Sequence, residues 1–98
     1  MDITKTLEID TLTITLSGRI NTLTAPQLEE EIKAIGTDVK TLILDFTEVP
    51  YISSAGLRVL LEAQKKMSKQ GKMIVRHVLE DVMEVLDITG FSSILTME

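Results

Sequence analysis

Two adjacent serines, Ser53 and Ser54, stand between the apolar stretch Val49-Pro50-Tyr51-Ile52 and a run in which Leu57, Leu60, Leu61 and Met67 recur at helical spacing. A serine at a strand-to-helix junction reads in two ways. Its oxygen can accept a backbone N–H as an N-cap, or its hydroxyl can stand exposed as the acceptor of a phosphoryl group. An anion is tolerated at such a point, because free N–H groups and the positive end of the helix dipole favour it by about 0.3 to 1 kcal/mol. Phosphorylation there adds a charge of about −1.5 to −2 to the surface without unfolding the helix. An unpaired charge buried in an interface costs several kcal/mol, whereas a hundredfold loss of affinity requires only about 2.8 kcal/mol. One phosphate would therefore be enough to turn off the binding of any partner that docked on that surface.

The neighbouring residues offer less chemistry. Gly56, in the first turn of the expected helix, costs about 1 kcal/mol of helix propensity relative to Ala; it either bares backbone to a partner or lets the helix pack tightly against a loop, and the sequence leaves both open. Arg58, one turn beyond Ser54, reads as an exposed cation able to contact a partner or a phosphate. Glu29-Glu30-Glu31 is a wet helix face that can contribute to a partner surface. His77 has no paired nucleophile and reads as a loop histidine. The chain has no Cys and one His, which removes thiolate nucleophiles, disulfides and the usual zinc sites. Neither phosphate-loop glycine pattern is present. No metal, cofactor or catalytic constellation is expected, and the chain is not read as an enzyme.

Positioning the serine pair requires a fold of ordinary size. The chain has 98 residues, 44% of them hydrophobic and 26% charged, which suits one globular domain over residues 1–98. Lys+Arg 10 against Asp+Glu 15, with 3% aromatic residues, argues against nucleic-acid binding. No apolar run approaches the length of a membrane span, and Met1-Asp2-Ile3-Thr4-Lys5 lacks the form of a signal peptide, so a cytoplasmic location without membrane insertion is expected.

Thr11–Ser17 alternates hydroxyl or β-branched residues with apolar ones, the pattern of a strand with one wet face. Thr24-Ala25-Pro26-Gln27 has the form of a capping box, with Thr24 as N-cap and Gln27 reaching back. Leu28, Ile32 and Ile35 then follow at helical spacing up to Gly36, a candidate left-handed cap. Thr41–Phe46 reads as a central strand covered on both faces. The helix after Ser53-Ser54 runs to Gly71, Met73-Ile74-Val75 is a further strand, Leu79, Val82, Met83 and Leu86 form a helical face ending at Gly90, and Ile94–Met97 is a short edge strand. Helical crossovers between strands imply parallel pairing. The expected architecture is an α/β fold: a small mixed sheet, hairpin first, then alternating helix and strand. Core candidates are Leu28, Ile32, Leu44, Leu60, Ile74, Val82 and Leu86.

The segment Val49-Pro50-Tyr51-Ile52-Ser53-Ser54-Ala55-Gly56-Leu57 resembles the signature of the STAS domain family, in which an apolar strand end passes through Asp-Ser-(Ser/Thr/Ala)-Gly-Leu into a helix. Gly18-Arg19-Ile20-Asn21-Thr22-Leu23-Thr24-Ala25 is similar to the family's Gly-x-(Leu/Ile)-Asp-x-x-(Thr/Ser)-Ala turn, and Leu86-Asp87-Ile88-Thr89-Gly90-Phe91 to its Thr/Ser-Gly ending. The three segments occur in family order and cover nearly the whole chain.

The resemblance implies a STAS fold and a stand-alone anti-sigma factor antagonist. Such a switch, acting as a monomer, binds an anti-sigma factor that is also a serine kinase and so frees a sigma factor for transcription. Its phosphorylation by that kinase ends binding, and a metal-dependent phosphatase restores it. Aligned on Gly56-Leu57, Ser54 falls on the phosphorylated serine, with Ser53 as second choice, and the partner-binding set is Asn21, Thr22, Ser53, Ser54, Ala55, Gly56, Leu57 and Arg58. Asn21 and Ser53 stand where the family usually carries Asp. The alternative is a non-switching STAS scaffold in a membrane transporter or lipid-transport complex.

Overall fold

The structure, a computed structural model, describes residues 1–98. Strands β1 (Asp2–Glu8) and β2 (Thr11–Ser17) form an antiparallel hairpin. They are followed by α1 (Ala25–Lys33), β3 (Thr41–Glu48), α2 (Ser54–Ser68), β4 (Lys72–Arg76), α3 (Glu80–Thr89), a 3-10 turn at Phe91–Ser93 and the edge strand β5 (Thr96–Met97). The strands lie side by side in sequence order, β2 through β5 all parallel. The expected mixed sheet with intervening helices is what forms.

Each helical crossover advances one strand in the same direction, and crossovers of one hand then place every helix on the same face of the sheet. The core reflects this. Ile14 and Leu16 of β2, Leu42, Leu44 and Phe46 of β3, and Met73 and Val75 of β4 join Leu28, Ile32, Leu60, Val82 and Leu86 of the helices in one buried cluster. The pairing register keeps these strand residues in phase, with Ile14 opposite Leu44 and Leu44 opposite Val75.

The opposite face carries Thr13, Ile43 and Ile74 in one row and Thr15, Asp45 and Arg76 in the next. Thr41–Phe46 is thus covered by helices on one face only, contrary to the expectation from its apolar run. Its outward residue Ile43 is only half-buried, between Thr13 and Ile74, and the outward residues on either side of it are the polar Thr41 and the acid Asp45. Ile74 is buried as expected, but away from the helices and outside the main cluster.

Two helix ends depart from the sequence reading. Thr24 holds the N-cap position of α1, as expected, but its side chain makes no cap bond; its Oγ1 accepts from Asn21 N at 2.9 Å and donates to Arg19 O at 2.7 Å. Asn21 takes the capping role instead: its Oδ1 accepts from Leu23 N (2.9 Å) and Thr24 N (3.1 Å), while Ala25 N closes a helical turn onto Asn21 O (2.8 Å). Gly36 is not a left-handed cap. Helix α1 ends at Lys33 with Ala34 in ordinary helical geometry, because Lys66 Nζ reaches across from α2 to the carbonyls of Ile32 (2.9 Å) and Lys33 (3.2 Å). Gly90 does close α3 in the left-handed conformation, at φ 82.

Candidate functional site

The serine pair lies where β3 passes into α2, and two loops at the carboxyl ends of parallel strands are stitched together beneath it. Gly18 N donates to Glu48 O (2.9 Å), Ile20 N to Tyr51 O (2.9 Å), and Ser53 N to Ile20 O (2.8 Å). The turn after β2 is thereby fixed beside the start of α2. On the outer surface the Arg19 guanidinium stacks 4.7 Å from the centre of the Tyr51 ring.

The two hydroxyls have different tasks. Ser53 has extended geometry and caps α2, its Oγ accepting a long bond from Gly56 N at 3.4 Å. Ser54 is the first helical residue; it is exposed and its hydroxyl makes no hydrogen bond within the chain. The amides of Ser54 and Ala55 have no backbone partner, as befits the first turn of a helix, and that turn contains no acidic residue. An anion on Ser54 would therefore meet free N–H groups and the positive dipole end with no carboxylate from its own turn.

Asn21 and Ser53, the two positions where the family usually has Asp, are both capping residues in this fold. Asn and Ser rank with Asp as N-caps. The exchanges preserve the local hydrogen bonding and remove two negative charges from around Ser54.

Of the other sequence-selected residues, Thr22 and Arg58 are exposed and Ala55 half-buried. These three share a shallow groove of about 220 Å³ between the starts of α1 and α2, together with Pro26 and Glu29. Gly56 and Leu57 are not on the surface; both are buried. A β-carbon at Gly56 would stand 2.7 Å from Ile20 Cγ2 and 2.7 Å from Ile52 Cγ1, closer than packed carbons approach. Of the two readings left open for this glycine, tight helix-to-loop packing fits the geometry. Glu29 lines the groove, whereas Glu31 pairs with Lys5 of the hairpin at 2.6 Å.

Two surface residues escaped the sequence reading. Leu23 is 84% exposed and Tyr51 40% exposed, both in the stitched loops. Leu23 lies off the spacing of Leu28, Ile32 and Ile35, which is the one sequence signal that it faces water.

His77 is a hydrogen-bonded loop histidine, as expected, just after β4. It adopts a positive φ of 58, which sets its Nδ1 3.3 Å from Asp45 Oδ2 and 3.1 Å from Thr47 Oγ1. Burial raises the Asp45 pKa, but the hydroxyl of Thr47 (2.6 Å), the backbone N–H of Thr47 (2.9 Å) and His77 outweigh it and hold the carboxyl below its ordinary value. Arg76 Nε adds a contact at 3.4 Å. The cluster holds the ends of β3 and β4 together on the open face of the sheet. No grouping of His, Asp and Glu in the chain could hold a metal ion, and no helix is long and apolar enough to cross a membrane.

The family model for the STAS domain matches residues 1–98, the whole chain. The chain belongs to the STAS domain family. Among its relatives, the Bordetella bronchiseptica protein BtrV, assigned as an anti-sigma factor antagonist, is 40% identical over 81 residues, or 81% of this chain and 70% of that protein. A crystal structure of an anti-sigma factor antagonist from Mycobacterium paratuberculosis superposes with a TM-score of 0.88 at 24% identity, covering 98% of this chain and 83% of that one. Structures of SpoIIAA from Bacillus have been determined in unphosphorylated and phosphorylated forms. Each matches with a TM-score of 0.75 at 17% identity over 99% of this chain, covering 87% and 91% of the respective SpoIIAA chains. These structural likenesses establish that the STAS fold of this chain is shared.

Proposed function

We propose that this STAS protein is an anti-sigma factor antagonist, a binding protein that captures an anti-sigma factor and so frees a sigma factor to promote transcription. The kinship with BtrV over most of both chains supports this reading, as does the 27% identity to the anti-sigma-B factor antagonist of Listeria monocytogenes over 96% of this chain and 84% of that one.

The docking face is the start of α2 with the adjoining turn after β2: Asn21, Thr22, Ser53, Ser54, Ala55 and Arg58, joined by the exposed apolar residues Leu23 and Tyr51. The anti-sigma factor is itself a serine kinase; it phosphorylates Ser54 and is released, and a metal-dependent phosphatase resets the switch in the cytoplasm. The observation that carries the choice of Ser54 is the division of labour in the pair. Ser53 caps the helix while the Ser54 hydroxyl stands free in solvent at the helix N-terminus.

Phosphorylation at this position adds charge to a face that must lose water on docking, while the helix amides hold the phosphate in the free protein. The test is to incubate the protein with its anti-sigma factor and ATP, then map the modification by mass spectrometry. One phosphate on Ser54, absent from Ser54→Ala, is expected. A constitutive STAS scaffold would instead take no phosphate and bind its partner equally well as Ser54→Ala and Ser54→Asp.

A further inference from the structure

The molecule is acidic, yet six of its 10 cations gather at one end. Of its 10 Lys and Arg residues, Lys40, Lys65, Lys66 and Lys69 line one cleft of about 690 Å³ between the end of α2 and the connection from α1 to β3. Lys33 and Lys72 adjoin it: Lys33 O accepts from Lys66 Nζ at 3.2 Å, and Lys72 N donates to Lys40 O at 2.9 Å. This end, where α2 finishes, is the opposite end of that helix from Ser54.

Folding accounts for only part of this charge. Lys66 Nζ caps the carbonyls of α1, Lys40 Nζ bonds Thr37 O at 3.1 Å, and Gln70 Nε2 bonds Gly36 O and Val39 O, both at 2.7 Å. Lys65 and Lys69 have neither a side-chain hydrogen bond nor an ion pair, although Lys33 and Lys5 find carboxylates elsewhere. Four residues apart, they lie on one face of the helix end. Glu62 is the one acid of the lining.

The geometry points to a binding site for a compact oligophosphate, read through its charge alone. Lysines present rotatable point charges rather than the planar fork that selects a carboxylate pair. No hydrophobic residue lines the cleft, so neither a nucleobase nor an apolar side chain of a peptide has a platform. A long polyanion is disfavoured as well. On a body measuring 32 × 27 × 19 Å with net charge −5, a nucleic acid or a bilayer would extend past the patch onto an acidic molecule. A chain of two or three phosphates spans Lys65 and Lys69 in adjacent turns and remains within the cleft. Its source is either an inorganic chain or the phosphate tail of a nucleotide.

The test is a titration of the full ¹⁵N-labelled protein with sodium tripolyphosphate, and in parallel with ATP, at low ionic strength. Saturable shifts confined to Thr37, Lys40 and the amides from Lys65 to Gln70 are expected. Tripolyphosphate should bind at least as tightly as ATP. Lys65→Ala with Lys69→Ala should weaken binding by about tenfold or more with an otherwise unchanged spectrum, the Lys→Arg pair should retain it, and Glu62→Gln should strengthen it. Ser54→Asp should leave it unchanged, which separates this site from the switch. Shifts that fail to saturate and spread to Lys5 and Arg58, or equal binding by the double alanine variant, would overturn the assignment. ATP binding about tenfold tighter than tripolyphosphate would also overturn it, by showing that a base is read.

Discussion

Gly56 lies so close to Ile52 that a β-carbon on the glycine would come 2.7 Å from Ile52 Cγ1, and equally close to Ile20 Cγ2. Both isoleucines are buried, and they are joined by a parallel bridge between the turn after β2 and the end of the β3 loop. This contact holds the start of α2 against the turn that carries Asn21. Gly56→Ala gains about 1 kcal/mol of helix propensity but overpacks the contact, at a cost of about 1 to 3 kcal/mol. A net loss of stability is expected, read as a Tm lowered by roughly 4–8 °C per kcal/mol in a domain of this size. An unchanged or raised Tm would show that the glycine serves something other than packing.

The cap at Asn21 gives a second prediction. Asn21→Ala leaves Leu23 N and Thr24 N without their acceptor and should cost about 1 kcal/mol in urea unfolding. Asn21→Asp should keep the stability, since the carboxylate oxygen accepts the same bonds. If Asn21→Asp is as destabilising as Asn21→Ala, the side chain is not acting as a cap.

Asp45 predicts a pH dependence. Its pKa is lowered in the folded protein, so its contribution to stability is fully present above the unfolded carboxyl value and is lost as pH falls through the lower folded value. Asp45→Asn should destabilise the protein at pH 7, where Thr47 and His77 lose their ionised partner. The gap between the two proteins should narrow as the pH is taken well below 4, the region of the unfolded carboxyl pKa. Unfolding curves at several pH values check this; a gap that widens in acid would contradict it.

The hairpin tip stores strain. Ile9 is 99% exposed and has φ 59, in a two-residue turn between Glu8 and Thr11 where the first central position ordinarily calls for glycine. A β-branched residue is poorly suited to that conformation. Ile9→Gly should therefore stabilise the fold by about 0.5 to 1 kcal/mol after allowing for the freer unfolded chain, measured by chemical denaturation. A loss of stability would mean that the Ile9 side chain makes a contribution its exposure conceals.

The period-two pattern of Thr11–Ser17, the helical spacing after Ser54 and the end of the third helix at Gly90 were all legible because they depend on neighbours in sequence. Three features were not. Thr24-x-x-Gln27 fits a capping box, yet Thr24 Oγ1 is engaged by Arg19 and Asn21, and the cap moves back to Asn21. The apolar run of β3 does not reveal that every crossover lands on one face, so Asp45 and Ile43 face away from the helices. The Asp45–His77 contact joins residues 32 apart in the chain, and no local pattern announces it. At the candidate site, the sequence singles out Ser54 by motif; the division of roles between Ser53 and Ser54, and the exposure of Leu23 and Tyr51, appear only in three dimensions.

The switch account rests on Ser54, and its most direct test is the affinity of the anti-sigma factor for the unmodified protein, Ser54→Ala and the Ser54-phosphorylated form, measured by calorimetry. The account predicts similar Kd values for the first two and a Kd at least about a hundredfold weaker for the third, a difference of about 2.8 kcal/mol. Equal affinity for all three forms would contradict it and leave Ser54 as an ordinary first-turn residue.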